Sequence, residues 1–182
     1  MKTLKLGLCL LAVAAFGTLT GCSTTAPRAV DVAQSIRTSL DQAGFKDVSV
    51  SQDRDKGVVT LGGHVPAEAD KAQAESIAKS FAAGQVVANE IAVVPPGAES
   101  DAKKVNSDLD KGIESNLHAA LVREKLQEHV NYTVKNHVVT LTGEVRSPAD
   151  RERAQRIAAG VLNVQQVVNE LQVKRQKATS SH

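Results

Sequence analysis

The feature that most constrains this 182-residue sequence is an internal repeat. Residues 58–93 match residues 138–173 at a constant offset of 80 without a gap, and the matched strand reads VVTLGGHV in the first copy and VVTLTGEV in the second. An ungapped match of this length indicates a duplicated structural unit, so the sequence predicts two copies of one small domain. The identical pairs include Leu61/Leu141, Gly63/Gly143, Asp70/Asp150, Ile77/Ile157 and Asn89/Asn169.

Each copy shows the same order of patterns. Apolar residues recur every four positions at Val32, Ile36 and Leu40, and the second copy repeats this spacing, which indicates an amphipathic helix. Two β-rich segments follow in each copy. In the second copy the two segments meet at a predicted Lys135-Asn136 turn. A second helix, started in the second copy by SPAD at 147–150, leads to a closing strand parallel to its neighbour.

The predicted fold class is therefore α+β, with two tandem units of helix-strand-strand-helix-strand. Two helices should cover one face of a three-stranded mixed sheet in each unit. A unit this small buries a marginal core alone, so we expect the copies to pack on each other. The predicted segments are a signal peptide at 1–21, a lipidated tether at 22–29, domains at 30–95 and 108–175, a linker at 96–107 and a disordered tail at 176–182.

The N-terminus has the layout of an export signal. Two lysines precede an apolar run and small residues, and the run is too short for a stable membrane span. The end of this segment, LTGC at 19–22, resembles the lipobox of bacterial lipoproteins. The resemblance implies an N-acyl group and an S-diacylglycerol on Cys22, and with Ser23 next in the chain it implies the periplasmic face of the outer membrane. The alternative is an ordinary signal peptide and a soluble periplasmic protein. No other cofactor is predicted.

The motifs of each copy also resemble a known domain. The order of a helix, VVTLxGxV, a helix with AxxIA and a strand with VxNE is similar to the BON domain. The resemblance implies a tandem BON-domain envelope lipoprotein that binds or organises envelope components and supports envelope integrity, with anionic phospholipid contacted by the second domain. The alternative that it implies is a periplasmic osmotic-stress or chaperone-like protein. The helix that opens the second copy contains no Trp at 108–113.

The net charge and its distribution limit the classes of binding partner. Without the first 21 residues the chain carries 20 basic and 20 acidic side chains, so no nucleic-acid partner is predicted. Residues 22–105 carry 9 basic against 11 acidic groups, and residues 106–182 carry 11 against 9. The candidate contacts for anionic phospholipid are Arg146, Arg151, Arg153 and Arg156. The alternative is a solvated helix face with a Glu152–Arg156 pair. Envelope proteins are a further class of partner, through sheet edges or through a polar sheet face bearing Thr140 and Thr142.

Catalytic and metal sites are not predicted. His64 and Glu144 follow the repeated glycine in the same slot, and neither has a nucleophile or a second carboxylate at a spacing that indicates a pair. The histidines at 118, 129 and 137 do not match zinc-ligand spacing. We therefore expect a protein that is not an enzyme, and the sequence leaves its oligomeric state open.

Overall fold

The computed structural model describes residues 28–174, so the predicted signal peptide, Cys22 and the tail at 176–182 lie outside the described residues. Each copy is an α+β unit, which confirms the predicted fold class. The first copy contains α1 (Ala33–Gln42), β1 (Val48–Asp53), β2 (Val58–Val65), α2 (Glu68–Phe81), β3 (Val86–Asn89) and β4 (Ala92–Val93). The second contains α3 (Glu99–Arg123), β5 (Val130–Lys135), β6 (Val138–Val145), α4 (Pro148–Ala159), β7 (Gln166–Asn169) and β8 (Gln172–Val173).

The sheets of the two copies have the same topology. In the first copy β2 is central, antiparallel to β1 and parallel to β3 and β4. The predicted closing strand is thus split in two, and the repeated asparagine explains the break. The Asn89 side chain accepts the N–H of Ile91 and donates to the C=O of Lys71, while Asn169 makes the matching bonds to Leu171 and Arg151. These asparagine side chains bond to the preceding helix and to the backbone N–H two residues later, and so interrupt the hydrogen-bond ladder of the closing strand.

The helices pack on one face of each sheet around a small apolar core. The stripe on α1 is buried at Ile36 and Leu40, and α2 contributes Ala74 and Ala78. Small residues on α2 allow the helix to approach the sheet closely, while Phe81 at its end stays 42% exposed. The second core contains the corresponding stripe and strand residues: Ile113, Leu117, Leu121, Val139, Leu141, Ala154 and Ala158.

The repeated glycine is a backbone requirement. Gly63 and Gly143 have φ values of 91° and 116°. A Cβ on Gly63 would lie 2.0 Å from the carbonyl oxygen of Asp47, and one on Gly143 would lie 2.6 Å from that of His129. A side chain at either position would collide with the neighbouring strand, so this glycine serves the hairpin.

The turn of the second hairpin differs by one residue from the prediction. Lys135 pairs with Val138, so the turn residues are Asn136 and His137 rather than Lys135 and Asn136. Both turn residues have positive φ, 46° and 67°, as a two-residue hairpin of right-handed twist requires. The carboxylate of Asp110 on α3 accepts both of their N–H groups, at 2.8 and 2.9 Å, and stabilises this conformation.

The segment predicted as a linker at 96–107 is mostly helical, because α3 begins at Glu99 and continues to Arg123. The Glu99 carboxylate accepts the N–H of Gly97 at 3.0 Å. Its polar residues had indicated a linker, with a helix start as early as Asp101 left open. Glu, Ala and Lys favour helices, and no Gly or Pro interrupts residues 98–111.

The two copies pack on each other, as their small size predicted. Val58, Ala88, Val138 and Val168 form a buried cluster between them. These residues are two pairs related by the offset of 80, so each copy contributes the same surface to the interface. The contact brings β3 and β7 side by side.

Polar contacts surround this cluster. The side-chain amide of Gln166 donates to the C=O of Val87 at 2.6 Å and accepts the N–H of Asn89 at 2.9 Å, and so occupies the edge of β3 as a further strand would. Lys56 contacts Glu170 at 2.6 Å. This hydrogen bond raises the pKa of Lys56 above its ordinary value, against the effect of burial.

The other glutamate of the repeated Asn-Glu pair makes the corresponding contact. Glu90 is paired with Lys135 at 3.0 Å, and its backbone carbonyl accepts the Asn136 side-chain amide at 2.6 Å. The asparagines therefore fix each copy internally, while the glutamates join the two copies.

Candidate functional site

The four candidate arginines lie on exposed surface of the second copy. Successive residues of a helix are rotated by about 100°, so Arg153 and Arg156 point to one side of α4 and Arg151 to another. Arg151 donates to the C=O of Asn169 on the β7 side. The structure therefore brings together two of the four, while Arg146 precedes the helix.

The two neighbouring arginines border the contact between α3 and α4. Arg153 is paired with Glu124 just after α3, and Arg156 lies 3.7 Å from Glu152, the pair expected for a solvated helix face. Arg123 at the end of α3 adds a third guanidinium, 3.8 Å from Glu124. Three arginines thus share two carboxylates, and the surface keeps a positive balance.

A groove of about 410 Å³ opens between these helices. We call it the cationic groove; its lining includes Arg123, Arg156, Ile157, Val161 and Leu162. Leu162 is 75% exposed, although a leucine gains free energy by leaving water. An exposed apolar side chain that lines the same groove as two guanidinium groups is the chemistry of a surface that contacts anionic amphiphiles.

The first copy lacks these arginines and the exposed leucine at the corresponding positions. Gln73 and Ser76 stand where the second copy has Arg153 and Arg156, and the counterpart of Leu162 is Ala82, which is buried. The two copies of this fold therefore differ in charge and in apolar exposure at this surface.

Comparison with known proteins identifies the repeated unit. A family model of the BON domain matches residues 28–95 and again residues 109–175. The chain belongs to the BON-domain family. Osmotically-inducible protein Y of Escherichia coli (strain K12) is 30% identical over 137 residues, which cover 74% of this chain and 67% of that protein. The predicted tandem of BON domains is thereby confirmed.

Among solved structures, the chain is similar to CdsD, a structural protein of the type III secretion system of Chlamydia trachomatis. The match covers 81% of this chain and 94% of that chain, with 12% identity and a TM-score of 0.37. A second match is to the C-terminal domain of CdsD, with 13% identity and a TM-score of 0.35, over 80% of this chain and 98% of that chain.

The other residues that the sequence singled out lie apart from the cationic groove. His64 borders a cleft between the two BON domains, and Glu144 is 3.9 Å from Lys174 at the far end of its strand. Within residues 28–174, no three His, Cys, Asp or Glu side chains are grouped as a metal ion would require. Over the same range, no helix combines the length and the apolar character needed to cross a membrane.

Sequence reasoning missed two charged residues. Arg123 follows the apolar stripe of α3, and its proximity to α4 depends on tertiary packing. Lys71 of BON domain 1 is 8% exposed, and its ammonium donates to Gln165 of BON domain 2 at 3.0 Å. Burial lowers the pKa of Lys71, against the attraction of Glu68 and other nearby carboxylates. The position of Lys71 along its helix did not predict its burial, because its partner Gln165 comes from the other domain.

Proposed function

We propose that BON domain 2 contacts anionic phospholipid surfaces through the cationic groove, in a periplasmic protein anchored by acylated Cys22 and supporting envelope integrity. One observation carries this proposal: exposed Leu162, Arg123 and Arg156 line the same groove of BON domain 2. The corresponding positions of BON domain 1 have no arginine and no exposed leucine.

Two terms contribute to such a contact. A basic side chain near an anionic surface adds about 1 kcal/mol, and the existing pairs with Glu124 and Glu152 reduce this gain. Burying the exposed Leu162 side chain in the boundary between headgroups and acyl chains adds about 1.5–3 kcal/mol at full burial. The result is a weak, salt-sensitive contact suited to orienting a protein that another element holds at the membrane.

The lipobox-like LTGC at 19–22 supplies that element. Several acyl chains on one cysteine anchor a protein stably, whereas a single chain gives only marginal binding. The groove would then act on a domain already near the surface. Mass spectrometry of the N-terminal peptide and fractionation of outer membranes test the anchor independently: an unmodified Cys22, or export as a soluble protein, would remove it from the proposal.

The lipid contact is tested without the anchor. The Cys22→Ser chain is mixed with phosphatidylglycerol or phosphatidylcholine vesicles at low and physiological salt, and binding is followed by co-sedimentation. We expect binding to phosphatidylglycerol alone, weakened by salt. The double variant Arg123→Gln/Arg156→Gln and the single variant Leu162→Asn should each reduce it.

The matched control removes two charges from other parts of the chain. Lys46→Gln/Lys104→Gln changes the net charge by the same amount at exposed positions away from the groove, and should leave binding close to that of the parent chain. Equal losses in both double variants would show a general charge effect, and the proposed role of the groove would be wrong.

A second candidate is a stress-protective, chaperone-like role in the periplasm, which the identity to an osmotically-inducible protein favours. The Cys22→Ser chain would then suppress aggregation of unfolded citrate synthase without vesicles. A deletion strain separates the two functions: sensitivity to large antibiotics that an intact envelope excludes supports the first, and sensitivity confined to high osmolarity supports the second.

A further inference from the structure

A cleft of about 560 Å³ separates the BON domains on the side of the interface where α3 begins, and it lies in the size range of ligand pockets. We call it the interdomain cleft. Domain 1 contributes Ala92 and Val94, the second hairpin contributes Val134, and the first half of α3 forms the remaining wall. The cleft exists only because the two domains are joined in this arrangement.

One wall of the cleft is a strand edge with free backbone groups. β5 is the outer strand of its sheet. Lys135 and Val138 flank a two-residue turn, and such a pair exchanges both hydrogen bonds. The alternation then directs the N–H and C=O of Val134 away from β6. Within residues 28–174, the N–H and C=O of Val134 form no hydrogen bond with another backbone group.

In BON domain 1 the chain before α1 contacts the first hairpin at its turn and at one side chain of β1. Residues 28–32 run beside the first hairpin before α1 begins. The N–H of Ala29 donates to the C=O of Arg54 at 2.9 Å. The Gln52 side chain donates to the C=O of Val30 at 2.7 Å and accepts the N–H of Val32 at 3.1 Å.

In BON domain 2 the corresponding place is taken by α3, which begins earlier in the chain, at Glu99. The Asp110 carboxylate takes only the turn amides of Asn136 and His137, so the edge at Val134 borders the interdomain cleft. We propose that the interdomain cleft binds an extended polypeptide segment, which hydrogen-bonds to the free N–H and C=O of Val134 on the edge of β5.

The side chains of the cleft define what such a segment carries. Ala92, Val94 and Val134 form an apolar surface that suits small aliphatic side chains. Charges of both signs border it, with Lys103 and Glu114 on α3 among them, so the segment should carry both signs too. Elsewhere at the interface the edge of β3 is closed by the Gln166 side chain, which restricts strand addition to the cleft.

The segment that lies beside the hairpin of domain 1 provides the probe, because its side chains match the chemistry of the cleft. Residues 28–33 have the sequence RAVDVA, with two charges of opposite sign and four small apolar residues. This hexapeptide, capped at both ends, is titrated into the Cys22→Ser chain, and amide resonances are followed by two-dimensional NMR. We expect saturable shifts at Ala92, Val134 and Lys135, and none around the cationic groove.

Two comparisons decide the proposal. Ser107→Trp should fill the cleft and weaken binding about tenfold or more, whereas Ser115→Trp, on the same helix but outside the cleft lining, should leave it unchanged. In an extended peptide, successive N–H groups point to opposite edges. A hexapeptide N-methylated at two successive residues therefore loses one N–H donor on each of its own edges and should not bind. Absent shifts, equal affinities of both Trp variants, or undiminished binding of the methylated peptide would each overturn the proposal, and none bears on lipid binding.

Discussion

The repeated glycine allows a sharp test of the fold, because replacing Gly63 by Ala adds one methyl group against backbone. At a φ of 91° the substitution costs about 1–2 kcal/mol for the left-handed conformation. The new Cβ would lie 2.0 Å from the carbonyl oxygen of Asp47, and relieving that contact requires movement of β1, at about 1–3 kcal/mol more. The expected loss is about 2–5 kcal/mol, against a domain stability of ~5–15 kcal/mol.

Two other glycines provide the scale for this loss. The Cβ contact at Gly143 is longer, 2.6 Å, so Gly143→Ala should cost less than Gly63→Ala. Gly112 lies within α3 with no atom within 4 Å of its added Cβ, so Gly112→Ala should stabilise by about 0.5–1 kcal/mol. Urea unfolding followed by circular dichroism gives all three free energies. A Gly63→Ala chain within about 1 kcal/mol of the parent, below the smallest cost for this conformation, would refute the reasoning.

Three further outcomes are expected. Ser147→Ala removes the cap that accepts the N–H of Asp150 at 3.1 Å, and should lower the urea-unfolding free energy by about 1 kcal/mol. A double-mutant cycle on Lys56 and Glu170 should give a coupling of about 0.5–1 kcal/mol, as the lysine is partly exposed. Because Glu170 raises the pKa of Lys56, this coupling is present from neutral pH up to about pH 10.5 and is lost as pH rises through the higher folded value. Val138→Asp should uncouple the domains and split one calorimetric transition into two; a single transition at unchanged temperature would contradict the packing.

Elements that depend on local chemistry could be predicted from the sequence. The stripe on α1, the cap at Ser147 and the parallel closing strand follow from residue spacing, and the structure contains them. The error at the second hairpin has a specific cause. Asn136 is a common residue in such a turn, but His137 is an unusual one, and its positive φ depends on the Asp110 carboxylate. The sequence pattern of the hairpin does not include that helix.

Contacts between the domains could not be predicted, because each involves residues far apart in the chain. Lys71 and Arg151 occupy the same slot, and both are basic residues on a helix. Lys71 is buried against Gln165 and Arg151 is exposed, and only the arrangement of the domains distinguishes them. The same limit applies to the arginine cluster, where spacing along α4 did not show which members would face α3.

The duplication itself separates structural from functional residues. Two of the pairs that match at the offset of 80 have equivalent surroundings: Asn89 and Asn169 make the same bonds, and Val58 and Val138 meet in the same cluster. Residues of this kind have a structural reason that both copies share. An exposed residue without a match, such as Leu162, has no such reason, because the other copy folds with a buried alanine in its place. Since the fold does not require that leucine at the surface, its role has to be sought in a contact outside the domain. The same argument applies to the helical start of α3, which forms a wall of the interdomain cleft and has no helical counterpart in residues 28–32 of the first copy.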